Sequence, residues 1–158
     1  MIDVPNNSNV SVNVSVNSTY RKWDTVPTVT RPYEFILNSI PWIYRLINKV
    51  YTLDNVYWLT DLKDYLKIAR EAIDLDHNWL PNRFDCDDFS AVLYCYARYE
   101  YGINGIGRVN DFVSRHSYNV CVTKDGGFYI IEPQEAVAYT LQSRSKKLYS
   151  LMFAIITF

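Results

Sequence analysis

The sequence predicts an α+β fold, in which N-terminal helices are followed by an antiparallel sheet. Apolar residues recur at helical spacing up to about residue 101, and after that they alternate on both sides of a glycine-containing turn. With 158 residues, the chain is long enough for one domain with a substantial core.

The composition narrows the possible partners. A net charge of −1 gives no reason to expect nucleic acid binding, whereas 14 Tyr and 4 Trp provide packing area and interface anchors. Apolar runs fall short of the roughly 20 residues that span a bilayer, so we expect no transmembrane segment. No basic patch precedes an apolar core at the N-terminus. A secretion signal is therefore not expected, which leaves the cytoplasm or a virion as locations.

Residues 1–30 are expected to form an N-terminal arm, separate from a domain at residues 31–158. In this arm four valines alternate with Ser and Asn: Val10, Val12, Val14 and Val16. Alternation of this kind indicates a strand with one apolar face, but four valines cannot form a core. Two interpretations stay open: a disordered tail, or a strand that adds to a sheet edge in self-association or assembly.

Three helices are predicted in the first part of the domain. The first apolar series is interrupted by Pro41, which indicates a kink or a break between two helices: Ile36, Ile40, Ile43, Ile47 and Val50. The next helix follows Thr60, a plausible N-cap. A further helix runs from about Asp85 to Tyr101 and is stopped by Gly102.

Strands are predicted in the second part of the domain. Residues 103–111, "INGIGRVND", are interpreted as a glycine-bearing connection. Residues 116–134 form a β-hairpin around Asp125-Gly126-Gly127, and the chain ends in one or two more strands, the last of them "LMFAIITF".

The segment "RFDCDDFSAVL", residues 83–93, places a cysteine at a helix start. Asp85 is a good N-cap, and Asp88 resembles the acidic half of a capping box. Cys86 then occupies the first helical position, where free backbone N–H groups and the helix dipole stabilise a thiolate. Asp87 and Asp88 oppose this effect unless they point away or bind a cation. Cys86 is therefore a nucleophile, a metal ligand or a small buried residue, while Cys95 and Cys121 are expected to be core thiols.

A nucleophilic thiol needs a base, and the chain has two histidines. His77 lies in a polar loop and is expected to be a surface residue. His116 lies at the start of a predicted strand, and Glu132, on the partner strand, follows two isoleucines. If the hairpin connection has an odd number of residues, His116, Glu132 and Gln134 share one face of the sheet.

Three motifs, "FDCDDFS", "RHSYNV" and "IIEPQ", together resemble the papain-like domain of the mushroom agglutinin chimerolectins and their relatives. The resemblance covers roughly residues 79–135. It implies a papain-like or transglutaminase-like fold, with Cys86 as nucleophile, His116 as general base and Glu132 as the residue that orients it. It also implies a divalent cation such as calcium, for which Asp87, Asp88 and Gln134 become candidate ligands.

The expected function is a cysteine hydrolase, a peptidase or amidase that acts on a peptide or protein through a thioester intermediate. A transferase with an amine acceptor would use the same chemistry. No β-trefoil lectin domain and no glutamine upstream of Cys86 are found, so sugar binding is not expected and the oxyanion hole is unassigned. The alternative is a structural or assembly protein, such as a virion component, on a papain-like scaffold with the strand-donating arm.

Overall fold

The computed structural model of the protein describes residues 22, 23, 25–74, 80 and 83–158. The predicted valine strand, most of the arm at residues 1–30, and His77 lie outside these residues. Within the described part of the chain, no helix is both long enough and apolar enough to cross a bilayer.

The helices begin with a pair that is broken where the sequence predicts. Helix α1 spans Tyr33–Ser39 and α2 spans Trp42–Ile47, with Pro41 between them. Proline lacks the N–H that would continue the first helix, so the chain turns there. Val50 does not extend α2, because it lies in the short strand β2, Lys49–Tyr51.

Two longer helices follow. Helix α3 spans Leu62–Ile73 and its N-cap is Asp61, so the predicted Thr60 cap is wrong. The hydroxyl of buried Thr60 instead donates to the carbonyl of Pro27, at 2.7 Å. Helix α4 spans Cys86–Tyr101 and ends at Gly102 with a φ of 65°, as predicted for a glycine C-cap.

The strands of the described residues form two sheets. Strand β1, Val29–Pro32, pairs antiparallel with β3, Val56–Leu59. The second sheet contains β2 and five later strands: β4, Ile106–Asp111; β5, His116–Val122; β6, Phe128–Glu132; β7, Val137–Tyr139; and β8, Ala154–Thr157. Its six strands follow the order β2-β8-β4-β5-β6-β7.

The larger sheet corrects two predictions. Strand β2 runs parallel to β8 at one edge, so the sheet is mixed and not purely antiparallel. The predicted connection at residues 103–111 contains strand β4, in which Gly107 permits close packing. A Cβ added at Gly107 would lie 3.1 Å from both the Phe158 ring and the Thr157 carbonyl. With helices and a mixed sheet, the fold is α+β.

An apolar core covers each face of this sheet. One core contains Tyr118, Val120 and Val122 of β5, together with Ile36 of α1. The other contains Cys121 of β5 and residues of α3 and α4, such as Leu93. Because side chains alternate along β5, α4 packs on the face opposite to Tyr118.

Candidate active site

The N-terminus of α4 is capped as the sequence predicts. The side chain of Asp85 accepts from the backbone N–H of Asp88, while Oδ2 of Asp88 accepts from the N–H of Asp85 at 3.1 Å. Cys86 is therefore the first helical residue, and it is partly exposed. Free N–H groups of a first turn attract negative charge, which suits a thiolate and a developing oxyanion.

Two side chains of the sheet fix this helix end. Arg108 of β4 donates to the carbonyl oxygen of Asp87 and to the hydroxyl of Ser90, each at 3.1 Å. Asn119 of β5 donates to the carbonyl of Ser90 at 3.0 Å. The start of α4, and with it Cys86, is thereby held against β4 and β5.

His116 and Glu132 are brought together by the hairpin. Strands β5 and β6 are joined by five residues, 123–127, and in their register Asn119 lies opposite Ile131. This odd-numbered connection places His116 and Glu132 on one face of the sheet, as predicted. Nε2 of His116 lies 2.8 Å from Oε2 of Glu132.

Glu132 is buried and accepts hydrogen bonds at both oxygens. The Tyr149 hydroxyl donates to Oε2 at 2.9 Å, and the backbone N–H of Gln134 donates to Oε1 at 3.2 Å. Burial and the nearby Glu132 charge raise the pKa of Tyr149, so the phenol stays protonated and remains a donor. The carboxylate that contacts His116 is therefore fixed from three directions.

A cavity of about 670 Å³ connects the cysteine with the histidine. It lies at the ends of β4 and β5, and its wall includes the following residues: Asp85, Cys86, Asp87, Asn110, Asp111, Phe112, Arg115, His116 and Ser117. His116 shares the sheet face of Tyr118, whereas α4 packs on the other face. Cys86, at the start of α4, and His116, at the start of β5, both line this cavity.

Asp111 organises the same strand end. It is 3% exposed, and its carboxylate accepts from the hydroxyls of Ser150 and Tyr118 and from the backbone N–H of Leu151. Burial raises the pKa of Asp111, but these hydrogen bonds and one from the N–H of Ser114 outweigh it, so the pKa lies below its usual value. Asp111 thus ties the residues around Tyr149 to β4.

Of the three candidate cation ligands Asp87, Asp88 and Gln134, only Asp87 belongs to the cluster of possible ligand atoms in the described part of the chain. Ligand atoms of Asp85, Cys86 and Asp87 lie within 4.8 Å of one another. A hydrogen bond to Asp85, with burial second, raises the pKa of Asp87, which is the effect expected where two carboxyls share a site. A divalent cation between these oxygens would offset that repulsion. The two carboxylates are ligands that a hard cation takes, whereas the Cys86 sulfur is not. Asp88 is used in the cap, and half-buried Gln134 follows Glu132 on the hairpin.

Cys95 and Cys121 differ from each other. Cys121 is buried, as predicted, and burial raises its pKa well above the usual value. Cys95 is exposed on α4, so the prediction of a core thiol is wrong there. Leu93 lies on the side of α4 that packs on the sheet, and Cys95 lies on the opposite side.

Sequence reasoning missed Asp111 and Tyr149. Asp111 ends a strand that was interpreted as a connection, and an aspartate after glycines usually indicates a turn. Tyr149 lies 17 positions after Glu132, in a segment without regular secondary structure. The one signal available was the abundance of tyrosine, which does not identify any single residue.

Comparisons with known proteins bear on the fold alone. No family model matches the chain, and a search of curated proteins finds no match. A solved structure described as the PSL1a–E64 complex has a TM-score of 0.60 and 19% identity, and the alignment covers 82% of this chain and 51% of that one. Polyporus squamosus lectin, bound to the human-type influenza-binding epitope Neu5Aca2-6Galb1-4GlcNAc, has a TM-score of 0.57 and 17% identity, with 80% and 49% covered.

The chain thus spans about half the length of these solved neighbours. Its fold is similar to part of a mushroom lectin. These neighbours support a mushroom-lectin-like fold, and the papain-like assignment made from the motifs at residues 79–135 stays a prediction.

Proposed function

We propose that the protein is a papain-like cysteine hydrolase that cleaves an amide bond in a peptide or protein. The observation that carries this proposal is the 2.8 Å contact between His116 and Glu132, beside a cavity that Cys86 also lines. A nucleophile, a base and an acceptor that orients the base are the parts required for covalent acyl transfer.

The hydrogen bonds suggest how the protons move. When the Nε2–H of His116 donates to Glu132, Nδ1 carries the free lone pair and is the atom that accepts the Cys86 proton. The thiolate then attacks the carbonyl carbon, and the C–N bond breaks as the imidazolium returns its proton to the leaving amine. Water hydrolyses the thioester, with His116 as base. An amine in place of water would make the same site a transferase.

Amide donors at the start of α4 would stabilise the oxyanion. Cys86 is the first helical residue, so N–H groups of the first turn lie beside its sulfur. The N–H of Asp88 is already used by Asp85, which leaves the amides nearest the sulfur for this role. Removing one such donor typically costs about 10²–10³ in rate.

A divalent cation is proposed at the same helix end. Asp87 would hold the cation, and Asp85 adds a nearby carboxylate. The motif resemblance adds Asp88 and Gln134 as further candidate ligands. The cation would supply positive charge that offsets the carboxylates around the Cys86 thiolate. Arg108, 3.9 Å from the Asp87 carboxylate, supplies part of that charge from the protein.

Hydrolysis of a peptide pool tests the proposal. Products are identified by mass spectrometry for the wild-type protein, with and without calcium, and for Cys86→Ser and His116→Ala. One solved neighbour is described as a complex with E64, so E64 is the compound tested as an inhibitor. Cleavage that both substitutions and E64 abolish is expected. Cleavage that survives Cys86→Ser would contradict the assignment.

Carbohydrate binding is a second candidate, which one observation favours. Trp23 and Trp58, about half exposed, line a cavity of about 230 Å³ together with Thr28, Tyr101 and Gly102. Indole faces pack well against apolar sugar faces, and the neighbouring lectin was solved with a sialylated trisaccharide. Tryptophan fluorescence during titration with that trisaccharide tests this candidate, with Trp58→Ala as the variant that should not respond.

A further inference from the structure

Two further cavities continue from the candidate active site. The first, of about 200 Å³, is lined by Ile47, Lys49, Phe112, Phe153, Ala154 and Ile155, and it shares Phe112 with the active-site cavity. The second, of about 850 Å³, shares Ile47 with the first and extends along α2 to residues 141–152. We call these two cavities together the side groove.

The side groove is unusually apolar for an exposed surface. Phe112 and Phe153 are 63% and 65% exposed, and Ile43 and Met152 are 40% and 46% exposed. Contiguous exposed apolar side chains of this kind mark an interaction surface. Because Phe112 lines both the groove and the cavity of Cys86 and His116, a segment bound in the groove would lie next to that cavity.

The charges of the side groove have one sign. Exposed Lys49 and Lys146 line it, as does Arg144, which donates to the Tyr149 carbonyl at 2.8 Å and to the Tyr44 hydroxyl at 2.9 Å. Among its described lining residues there is no Asp or Glu. An apolar surface with lysines and without carboxylates complements a segment that is apolar and acidic.

Backbone conformation marks the same region. Leu151 and Phe153 have φ values of 52° and 53°, in the left-handed region that residues with a Cβ adopt rarely. Arg115, directly before His116, has a φ of 54°. Such strain persists where surrounding structure enforces it, often at functional sites, and here it directs Phe153 to the groove.

We propose that the side groove docks a segment of the polypeptide substrate that carries bulky apolar side chains and carboxylates. This inference rests on the proposed function, since it names the substrate class of that site. A cavity of about 150 Å³ holds a benzene ring, so the first cavity has room for one Leu or Phe side chain. Lys49 and Lys146 would attract the acidic residues that follow.

A second copy of the chain is a poorer fit. In a two-fold interface both sides present the same patch, so each would bring lysines and neither would bring a carboxylate. Like charges that face each other across an interface are costly, and no described carboxylate of the groove is present to pair with them.

Fluorescence anisotropy with the uncleaving Cys86→Ser variant of the full chain measures docking directly. The probe is a labelled peptide that contains leucine, phenylalanine and aspartate. One comparison peptide has serine in place of the apolar residues, and another has lysine in place of aspartate. We expect each replacement to weaken binding about tenfold or more.

Variants locate the binding in the groove. Phe153→Asn should lower the affinity for the probe peptide about tenfold, and asparagine tolerates the positive φ at this position. Lys146→Glu should reverse the preference between the aspartate peptide and the lysine peptide. Leu53→Asn and Lys67→Glu, at exposed positions outside the groove, are matched controls that should bind as the parent does. Equal affinity for all three peptides would overturn the proposal.

Two outcomes separate this inference from the proposed function. If the probe binds as expected but the wild-type protein cleaves no peptide, the docking proposal is supported and the hydrolase proposal fails. If cleavage occurs with no preference for apolar or acidic residues, the hydrolase proposal is supported and the docking proposal fails. Light scattering that shows a dimer, dissociated by Phe153→Asn, would assign the groove to a second copy and overturn it as well.

Discussion

The Tyr149 hydroxyl lies 2.9 Å from Oε2 of Glu132, the same oxygen that lies 2.8 Å from Nε2 of His116. A tyrosine from the segment before the last strand thus fixes the carboxylate that orients the proposed base. Its ring also lies beside the imidazole, with 5.6 Å between the centroids. The geometry of His116 therefore depends on two residues, one in the hairpin and one far along the chain.

Tyr149→Phe removes this hydroxyl and keeps the ring. A hydrogen bond to a charged group contributes about 1.5–3 kcal/mol, so we expect kcat to fall by about tenfold or more through looser placement of Glu132. Steady-state kinetics on a peptide substrate that the wild-type protein cleaves measures this fall in kcat. Tyr139→Phe, whose ring packs on Tyr149 at 5.3 Å, is the matched control and should retain activity. Equal losses in both variants would indicate a packing effect.

Glu132→Gln tests the orienting role itself. An amide keeps the shape but presents an N–H or a neutral oxygen to His116, so the imidazole loses its charged acceptor. We expect kcat/KM to fall by about 10²–10⁴. Glu135→Gln, at an exposed position three residues later, should be neutral. Activity within about twofold of wild type for Glu132→Gln would rule out the triad.

Asp111 should make stability depend on acid pH. Its folded pKa lies below the usual value, so it contributes stability above about pH 4 that is lost as the pH falls through the folded pKa. Asp111→Asn should lower the free energy of unfolding by about 2–3 kcal/mol at pH 7, with the difference from wild type shrinking below about pH 4. Urea unfolding at several pH values measures this. Asp74→Asn, exposed at the end of α3, is the control.

Calcium should stabilise the folded protein if the acidic helix start binds it. At about one hundred times its Kd, a ligand that binds only the folded state adds about 2.7 kcal/mol, which raises Tm by several degrees. Differential scanning fluorimetry measures the shift, which Asp87→Asn should abolish and Asp125→Asn should leave intact. A shift of the same size in both variants would place the cation elsewhere.

Local signals explain which parts of the fold were predictable. The boundaries of α4 follow from Asp85 and Gly102, and the hairpin follows from the Asp125-Gly126-Gly127 turn; both are set by residues close in sequence. The parity of that hairpin then placed His116 and Glu132 on one face. Short motifs and strand alternation thus predicted Cys86, His116 and Glu132 as candidate site residues.

Long-range pairing explains what was missed. The parallel pairing of Lys49–Tyr51 with the final strand joins distant parts of the chain, and no local sequence pattern predicts such a contact. Strand β4 contains Gly107, where a side chain would collide with Phe158, whereas glycine in a sequence usually indicates a turn. The contribution of Tyr149 depends on the same long-range packing.

The reactivity of Cys86 tests the central claim most directly. Iodoacetamide alkylation of the native protein, followed by peptide mapping, gives separate rates for Cys86 and for exposed Cys95, an internal reference on the same helix. We predict that Cys86 reacts at least about tenfold faster than Cys95, and that His116→Ala removes most of this advantage. A Cys86 rate equal to that of Cys95, with or without calcium and unchanged by His116→Ala, would contradict the assignment of Cys86 as the nucleophile.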